Sequence, residues 1–184
     1  MQNIILILIA SIILSDSYKE PAYTLIDKSG NIEIREYSEN IIAKTSILNE
    51  DGQMDNSMFR TLAGYIFGGN DRQQSIPMTT PVITSKKENS YSMIFFMLDV
   101  KDKKDLPSPN SSNVKIETIN LGKVITIEFA WWANENNVRK YKKKLEKYIK
   151  DNDLEVVSDM MIAQYNPPLS WPLSRRNELI FQIK

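Results

Sequence analysis

Two absences limit the chemistry available to the side chains of this sequence. The 184 residues contain no histidine and no cysteine, which removes the usual general base, the usual metal ligands and every thiol nucleophile. A serine or threonine nucleophile would therefore lack a histidine base. Glu33, Glu36, Glu39 and Glu128 lie on or beside predicted strands, but no spacing pairs them as an acid and a base. The sequence predicts a binding protein rather than an enzyme.

The charge balance narrows the class of partner. Lysine and arginine number 23, aspartate and glutamate also number 23, and 42% of the residues are hydrophobic. A nucleic-acid-binding protein would carry a clear excess of positive charge, so this composition argues against nucleic acid as the main partner. The length and the apolar fraction are sufficient for one compact domain with its own core.

The first residues are typical of a signal peptide. Ile4 to Leu14 is an almost unbroken apolar run, and it is too short for a membrane-spanning helix of about 20 residues. The small residues Ser15 and Ser17 follow it, as in a signal cleavage site. We expect a signal peptide over residues 1–17, a single domain over residues 18–184, and a secreted or periplasmic protein. An uncleaved anchor and a buried N-terminal strand are the alternatives.

Most of the remaining chain alternates with a period of two, which indicates strands. Met93 to Leu98 is apolar on both faces, which predicts a strand covered on both sides. Asn120 to Gly122 resembles a turn between two further strands. The other alternating sets are Ile32 and Ile34; Ile41, Ala43, Thr45 and Ile47; Val114 and Ile116; Ile125, Ile127, Phe129 and Trp131; and Leu179, Phe181 and Ile183.

Two segments have helical spacing instead. Met54, Met58, Leu62, Tyr65 and Ile66 form one apolar stripe, followed by Gly68, Gly69 and Asn70. They predict an amphipathic helix of about 14 residues with a glycine ending. Val138, Tyr141, Leu145, Tyr148 and Ile149 form a second stripe, with Asn134 as the expected N-cap.

The order of elements is strands, helix, strands, repeated once. This order predicts an α+β fold built from a duplicated unit, with the strands in one antiparallel or barrel-like layer and the helices outside it. Residues 101–113, which are polar and contain proline, predict an exposed loop between the two halves.

Three stretches of the sequence resemble the SOUL haem-binding protein family. The first is Phe59 to Val82, with Tyr65, Ile66, Gly68 and Asn70 followed by Ile76, Met78, Thr79, Pro81 and Val82. The second is Leu106 to Ile116, and the third is Tyr165 to Glu178, which contains the segments Tyr-Asn-Pro-Pro and Arg-Arg-Asn-Glu. The resemblance implies a distorted antiparallel barrel or sheet of eight strands flanked by two long helices. Phe129 to Trp132 departs from the family pattern, which usually has a glycine-containing turn there.

The resemblance also implies haem or another tetrapyrrole as the ligand. Since this chain has no histidine or cysteine, iron could be ligated only by a thioether such as that of Met58 or Met78, by the phenol of Tyr65, or by no side chain. We expect apolar contacts to hold the ligand and basic side chains to pair its propionates. The predicted wall is Met58, Leu62, Tyr65 and Met78, with Arg60 or Arg175 reaching a carboxylate. The alternative is that the apolar residues are only core.

The second predicted helix is strongly basic on the side opposite its apolar stripe. Such a face could meet anionic lipid, nucleic acid or an acidic partner, although a solvent-exposed face is the simpler interpretation. The sequence therefore predicts noncovalent tetrapyrrole binding. The alternatives are that the same scaffold binds another hydrophobic small molecule, or that it contacts a protein or membrane through the basic helix. The basic residues are Arg139, Lys140, Lys142, Lys143, Lys144, Lys147 and Lys150.

Overall fold

A computed structural model describes residues 18–48 and 57–184. The strands are β1 (Tyr23–Ser29), β2 (Ile32–Leu48), β3 (Val82–Lys87), β4 (Ser90–Phe96), β5 (Lys115–Phe129), β6 (Met161–Gln164) and β7 (Asn177–Gln182), and the α-helices are α1 (Ser57–Ile66) and α2 (Glu135–Asp151). Two short 3-10 helices span Lys103–Asp105 and Pro172–Ser174. The predicted α+β class is confirmed.

Six of the strands close into an antiparallel barrel. The order around the barrel is β2, β4, β3, β6, β7 and β5, and β5 pairs back onto β2, while β1 is added beside β2. The longest seam joins β2 to β5, from Ile32 opposite Ile127 to Lys44 opposite Lys115. Within the described residues the sheet therefore has seven strands, whereas the resemblance implied eight.

The difference in strand count has a local cause at Gly122. The predicted turn at Asn120 to Gly122 does not separate two strands, because β5 runs through it as one strand. Gly122 has a φ of 56°, and Asn120 accepts its backbone N–H through Oδ1 at 2.9 Å. This glycine lies opposite Tyr37 in the pairing with β2. The pairing keeps the same register on both sides of this position, so the left-handed glycine ends neither the strand nor its pairing with β2. The predicted strands at Ile32 and Ile41 likewise belong to the single strand β2.

The two helices cover opposite parts of the barrel wall. On β4, Ile94 and Phe96 point into the barrel, whereas Met93 and Phe95 pack beneath α1. This confirms the strand predicted to be covered on both sides. Helix α2 packs through Leu145 on Ile125 and Leu179 of β5 and β7. Each helix thus buries one apolar face, as the sequence predicted.

The helix ends follow their expected capping chemistry. Asn134 caps α2 by accepting the backbone N–H of Asn137 at 3.0 Å, and Gly68, with a φ of 102°, follows α1. In the described residues α1 has ten residues rather than about 14, and Met54 lies outside them. The predicted signal peptide over residues 1–17 lies outside them too. No helix in the part of the chain that the structure describes is long and apolar enough to cross a membrane.

Candidate ligand-binding groove

An apolar groove lies between the outer face of α1, the segment after Pro77 and the loop after β6. Its volume is about 190 Å³. The lining is mostly carbon, with a few polar groups at the edge, which is the usual character of a site for an apolar ligand. The lining residues are Tyr18, Phe59, Ala63, Phe67, Met78, Thr80, Val82, Gln164, Tyr165, Asn166, Pro167 and Pro168.

Helix α1 has two apolar faces, and only the outer one reaches the groove. Phe59, Ala63 and Phe67 recur every fourth residue and line the groove. Met58 and Leu62 point the opposite way and are fully buried against the barrel wall. The structure therefore places these two predicted wall residues in the core beneath the groove, and ligand contact by them stays a prediction.

Tyr65 is also part of the core. Its hydroxyl donates a hydrogen bond to the carbonyl oxygen of Pro107 at 2.9 Å. Burial raises the pKa of Tyr65 to about 12, and the nearby Asp71 acts in the same direction. Tyr65 is therefore a neutral, hydrogen-bonded phenol at neutral pH, and it is not disposed to ligate iron as a phenolate.

Met78 is the predicted wall residue that lines the groove. The residues after it fix its position, because the Thr79 hydroxyl donates to the carbonyl oxygen of Phe96 at 2.7 Å. The backbone N–H of Thr80 donates to the carbonyl oxygen of Lys19 at 2.9 Å, which brings the start of the domain to the groove. Thr79 through its side chain and Thr80 through its backbone thus tie the loop to two main-chain carbonyls.

The two predicted basic residues differ in their availability. Arg60 is exposed on α1, one residue after Phe59. Arg175 is buried, and its guanidinium carbon lies 3.7 Å from the centroid of the Trp132 ring. Arg175 also donates to the carbonyl oxygens of Pro167 and Pro168. Arg175 therefore holds the loop that forms one groove wall, whereas contact between Arg60 and a ligand carboxylate stays a prediction.

Tyr165 connects the groove to a charged network inside the barrel. Its hydroxyl donates to Glu178 at 2.9 Å, and Glu178 has no exposed surface. Arg35 makes two hydrogen bonds to the same carboxylate, at 2.8 and 3.1 Å. Arg176 donates to it at 2.9 Å and Thr126 at 3.3 Å. A buried carboxylate with this many donors is fully compensated, so it serves as an internal anchor rather than as a ligand for a bound molecule.

The charged partners in this network favour their ionised states. Burial works against the charge on Arg35, but the hydrogen bonds and attraction to Glu178 outweigh it and raise the pKa of Arg35. Burial likewise opposes the charge on Arg176, and attraction to Tyr165 and Glu178 raises its pKa. Burial, together with repulsion by Glu178, raises the pKa of Tyr165 well above its ordinary value.

Alkaline pH should destabilise the protein through its buried tyrosines. Burial raises the folded-state pKa of Tyr37, Tyr65 and Tyr165, so the unfolded chain loses these protons first. The stabilisation they give is complete below about pH 10 and is lost progressively above it. We expect the free energy of unfolding to fall steeply from there, with loss of structure coinciding with a late step in the tyrosinate absorbance. The expectation would be contradicted if the tyrosinate absorbance showed that Tyr37, Tyr65 and Tyr165 are fully ionised while the protein is still folded.

A second cavity of about 310 Å³ opens at one end of the barrel. Its floor is apolar, formed by side chains such as Ile83, Ile94 and Met161. Its rim includes the ion pair between Lys44 and Glu117, whose nitrogen and oxygen are 3.3 Å apart. An apolar floor with a charged rim suits a small amphiphilic molecule better than a large flat one.

Sequence reasoning missed most of the groove lining. Phe59, Ala63 and Phe67 were not among the predicted wall residues, although their spacing of four is a signal that could have identified them. Gln164 and Val82 could not have been found in this way, because they join the groove only through the pairing of β3 with β6.

The described residues thus form an α+β barrel domain with an apolar surface groove. The family model described as SOUL heme-binding protein matches residues 18–182, and the chain belongs to this family. No curated protein matches the sequence.

Solved structures share the fold at low sequence identity. A hydrolase from Listeria innocua has a TM-score of 0.62 at 10% identity, over 86% of this chain and 94% of that one. An uncharacterized conserved protein from Listeria innocua gives 0.64 at 10% identity, over 84% and 92%. The C-terminal domain of EcmrR gives 0.61 at 12% identity, over 88% and 98%. These likenesses establish the fold alone.

Proposed function

We propose that this protein binds haem or a related tetrapyrrole noncovalently in the groove between α1 and the Tyr165–Pro168 loop, without a catalytic role. The observation that carries the proposal is the groove itself, an apolar surface on a SOUL-family domain that includes the outer face of α1. Aromatic and proline side chains such as Phe59, Phe67 and Pro168 offer flat contacts to a planar ring.

The groove covers only part of such a ligand. Its volume of about 190 Å³ is below the roughly 300 to 1,000 Å³ of pockets that enclose a ligand. The tetrapyrrole would therefore lie with one face on α1 and the loop and with its other face toward solvent. Arg60 on α1 is the basic side chain we assign to a propionate, because Arg175 is engaged by Trp132 and two carbonyl oxygens.

The groove offers little to the iron. Histidine and cysteine are absent from the sequence, and Met78 supplies the thioether of the lining. Because binding depends on the ring rather than on the metal, iron-free protoporphyrin should bind about as tightly as haemin, and bound haemin should keep a weakly perturbed, high-spin spectrum.

A titration with both porphyrins tests this proposal. Protein beginning at Tyr18 is titrated with haemin and with iron-free protoporphyrin IX, following the Soret band and tryptophan quenching. We expect both ligands to saturate at one equivalent. Linear uptake without saturation would contradict the proposal, and so would a sharp low-spin haem spectrum in the purified protein.

The cavity at the barrel end supports a second candidate function. With about 310 Å³ and a charged rim, it could hold a smaller hydrophobic molecule that bears a polar group. This candidate predicts that apolar dyes or alkyl amphiphiles bind more tightly than either porphyrin. The same titration, run in competition with such a dye, distinguishes the two candidates.

A further inference from the structure

Five large apolar side chains stand exposed together on the surface beside the N-terminal end of α2. Leu169 is 98% exposed and Trp171 70% exposed, and the others are about half exposed. A large exposed apolar patch on a soluble protein often marks an interaction surface. We call this set the tryptophan patch; its members are Trp131, Trp132, Leu169, Trp171 and Leu173.

The patch is held rigidly although its side chains face solvent. Trp131 has a φ of 73°, a left-handed conformation that is costly for a bulky residue. Its backbone N–H donates to the carbonyl oxygen of Pro172 at 2.9 Å. The buried Asn177 donates to the carbonyl oxygen of Trp131 at 2.8 Å. Arg175, stacked on Trp132, joins the two loops from beneath. The fold thus maintains a strained backbone that presents indole rings outward.

The basic face of α2 begins directly beside the patch. Asn137, in the first turn of α2, donates to the carbonyl oxygen of Trp132 at 2.8 Å. Of the seven cations on α2, Lys142 and Lys147 pair with carboxylates on the helix itself. The other five have no carboxylate partner within the described residues. They are Arg139, Lys140, Lys143, Lys144 and Lys150.

We propose that the tryptophan patch and the basic face of α2 together bind the surface of an anionic lipid bilayer. Tryptophan is the side chain that best suits the boundary between lipid headgroups and acyl chains, and exposed leucine adds apolar area that can enter that boundary. Unpaired lysines beside such side chains complement the negative surface potential of the bilayer. The contact is peripheral, and it borders the tetrapyrrole groove, because Leu169 directly follows Pro168 in the groove wall.

The tryptophans themselves report on this contact. The whole sequence contains three of them, and all three belong to the patch. Protein beginning at Tyr18, which contains every described element, is mixed with phosphatidylcholine vesicles containing about 30 mol% phosphatidylserine. We expect a blue shift of the tryptophan emission and strong quenching by brominated lipid. The full-length chain is measured in parallel, because the apolar residues 4–14 could bind lipid by themselves.

Matched variants distinguish lipid binding by the patch and by the basic face from nonspecific adsorption to the vesicles. Leu169→Ser with Trp171→Ser should lower the partition coefficient by about tenfold, because both side chains lose apolar contact with the bilayer. Leu48 is an exposed leucine at the end of β2, away from the patch, and Leu48→Ser should leave the partition coefficient unchanged. Lys140, Lys143 and Lys144 changed to Gln should also lower it by about tenfold, whereas Lys101, Lys103 and Lys104 changed to Gln should not.

The proposal is overturned if the tryptophans show no lipid-dependent quenching, or if each control variant loses as much binding as its test variant. It is also overturned if vesicles of pure phosphatidylcholine bind equally well. Circular dichroism confirms that the variants remain folded, and Leu173→Ser provides a second patch variant if the double substitution does not fold.

Discussion

Glu178→Gln should destabilise this protein by about 3 kcal/mol, since it removes the fully buried carboxylate from the barrel and leaves the Arg35 guanidinium with Glu33 as its remaining charged partner. The Arg35 side chain is 3% exposed, and the Glu178 side chain has no exposed surface. A domain of this size typically has only about 5 to 15 kcal/mol of total stability. The substitution should therefore shift the urea midpoint markedly, or prevent folding at physiological temperature.

Glu117→Gln is the matched control for this substitution. Glu117 also pairs with a cation, Lys44, but the two side chains are 40% and 36% exposed. Water screens such a pair, so its loss should cost under about 1 kcal/mol. Equal effects of the two substitutions would show that the interior pair is not what anchors the barrel.

A double replacement extends the test. Arg35→Met combined with Glu178→Leu should recover much of the stability that Glu178→Gln loses, because both of the most deeply buried charges are then removed together. If the double variant is no more stable than Glu178→Gln, the hydrogen bonds from Tyr165 and Thr126 contribute more than the charge pairing does.

Leu62→Ala should cost about 2 to 5 kcal/mol of stability while leaving porphyrin affinity unchanged. Leu62 is fully buried between α1 and the barrel wall, and its side chain points away from the groove. The loss combines the transfer of the removed methyl groups with the cavity that they leave. Urea unfolding measures the stability, and a haemin titration under folded conditions measures the affinity.

Leu48→Ala, which truncates an 85% exposed leucine, provides the stability control and should stay within about 0.5 kcal/mol of the original protein. A large fall in affinity for Leu62→Ala, with stability retained, would instead support the sequence-based prediction that Met58, Leu62 and Tyr65 form the pocket wall.

The helices and their buried faces could be predicted because their signals are local. Asn134 caps α2 through its own side chain, and the stripe around Leu145 repeats at the helical period. The passage of β5 through Gly122 as one strand was not predictable, because Asn-x-Gly between alternating residues also signals a hairpin turn. Only the pairing with the neighbouring strand β2 decides between a continuous strand and a hairpin turn.

The charged interior depends on contacts that no local pattern reveals. Arg35 and Glu178 are 143 residues apart in sequence, and each lies on a strand where an outward position would have been the ordinary expectation for a charge. The groove likewise depends in part on contacts between residues that are far apart in the sequence. Its α1 face repeats every fourth residue and could have been recognised, whereas Tyr165 and Pro168 reach it only when β6 pairs with β3.

The central claim is that a tetrapyrrole binds on the outer face of α1, and filling that face tests it most directly. Ala63 lies between Phe59 and Phe67 in the groove, so Ala63→Trp places an indole where the ligand ring would lie and leaves the barrel-end cavity untouched. Haemin and iron-free protoporphyrin are titrated into this variant and into the original protein, with unfolding curves confirming equal stability. We expect saturable binding of both porphyrins to the original protein and none to the variant. Unchanged saturation of the folded variant would contradict the account and would favour the cavity at the barrel end.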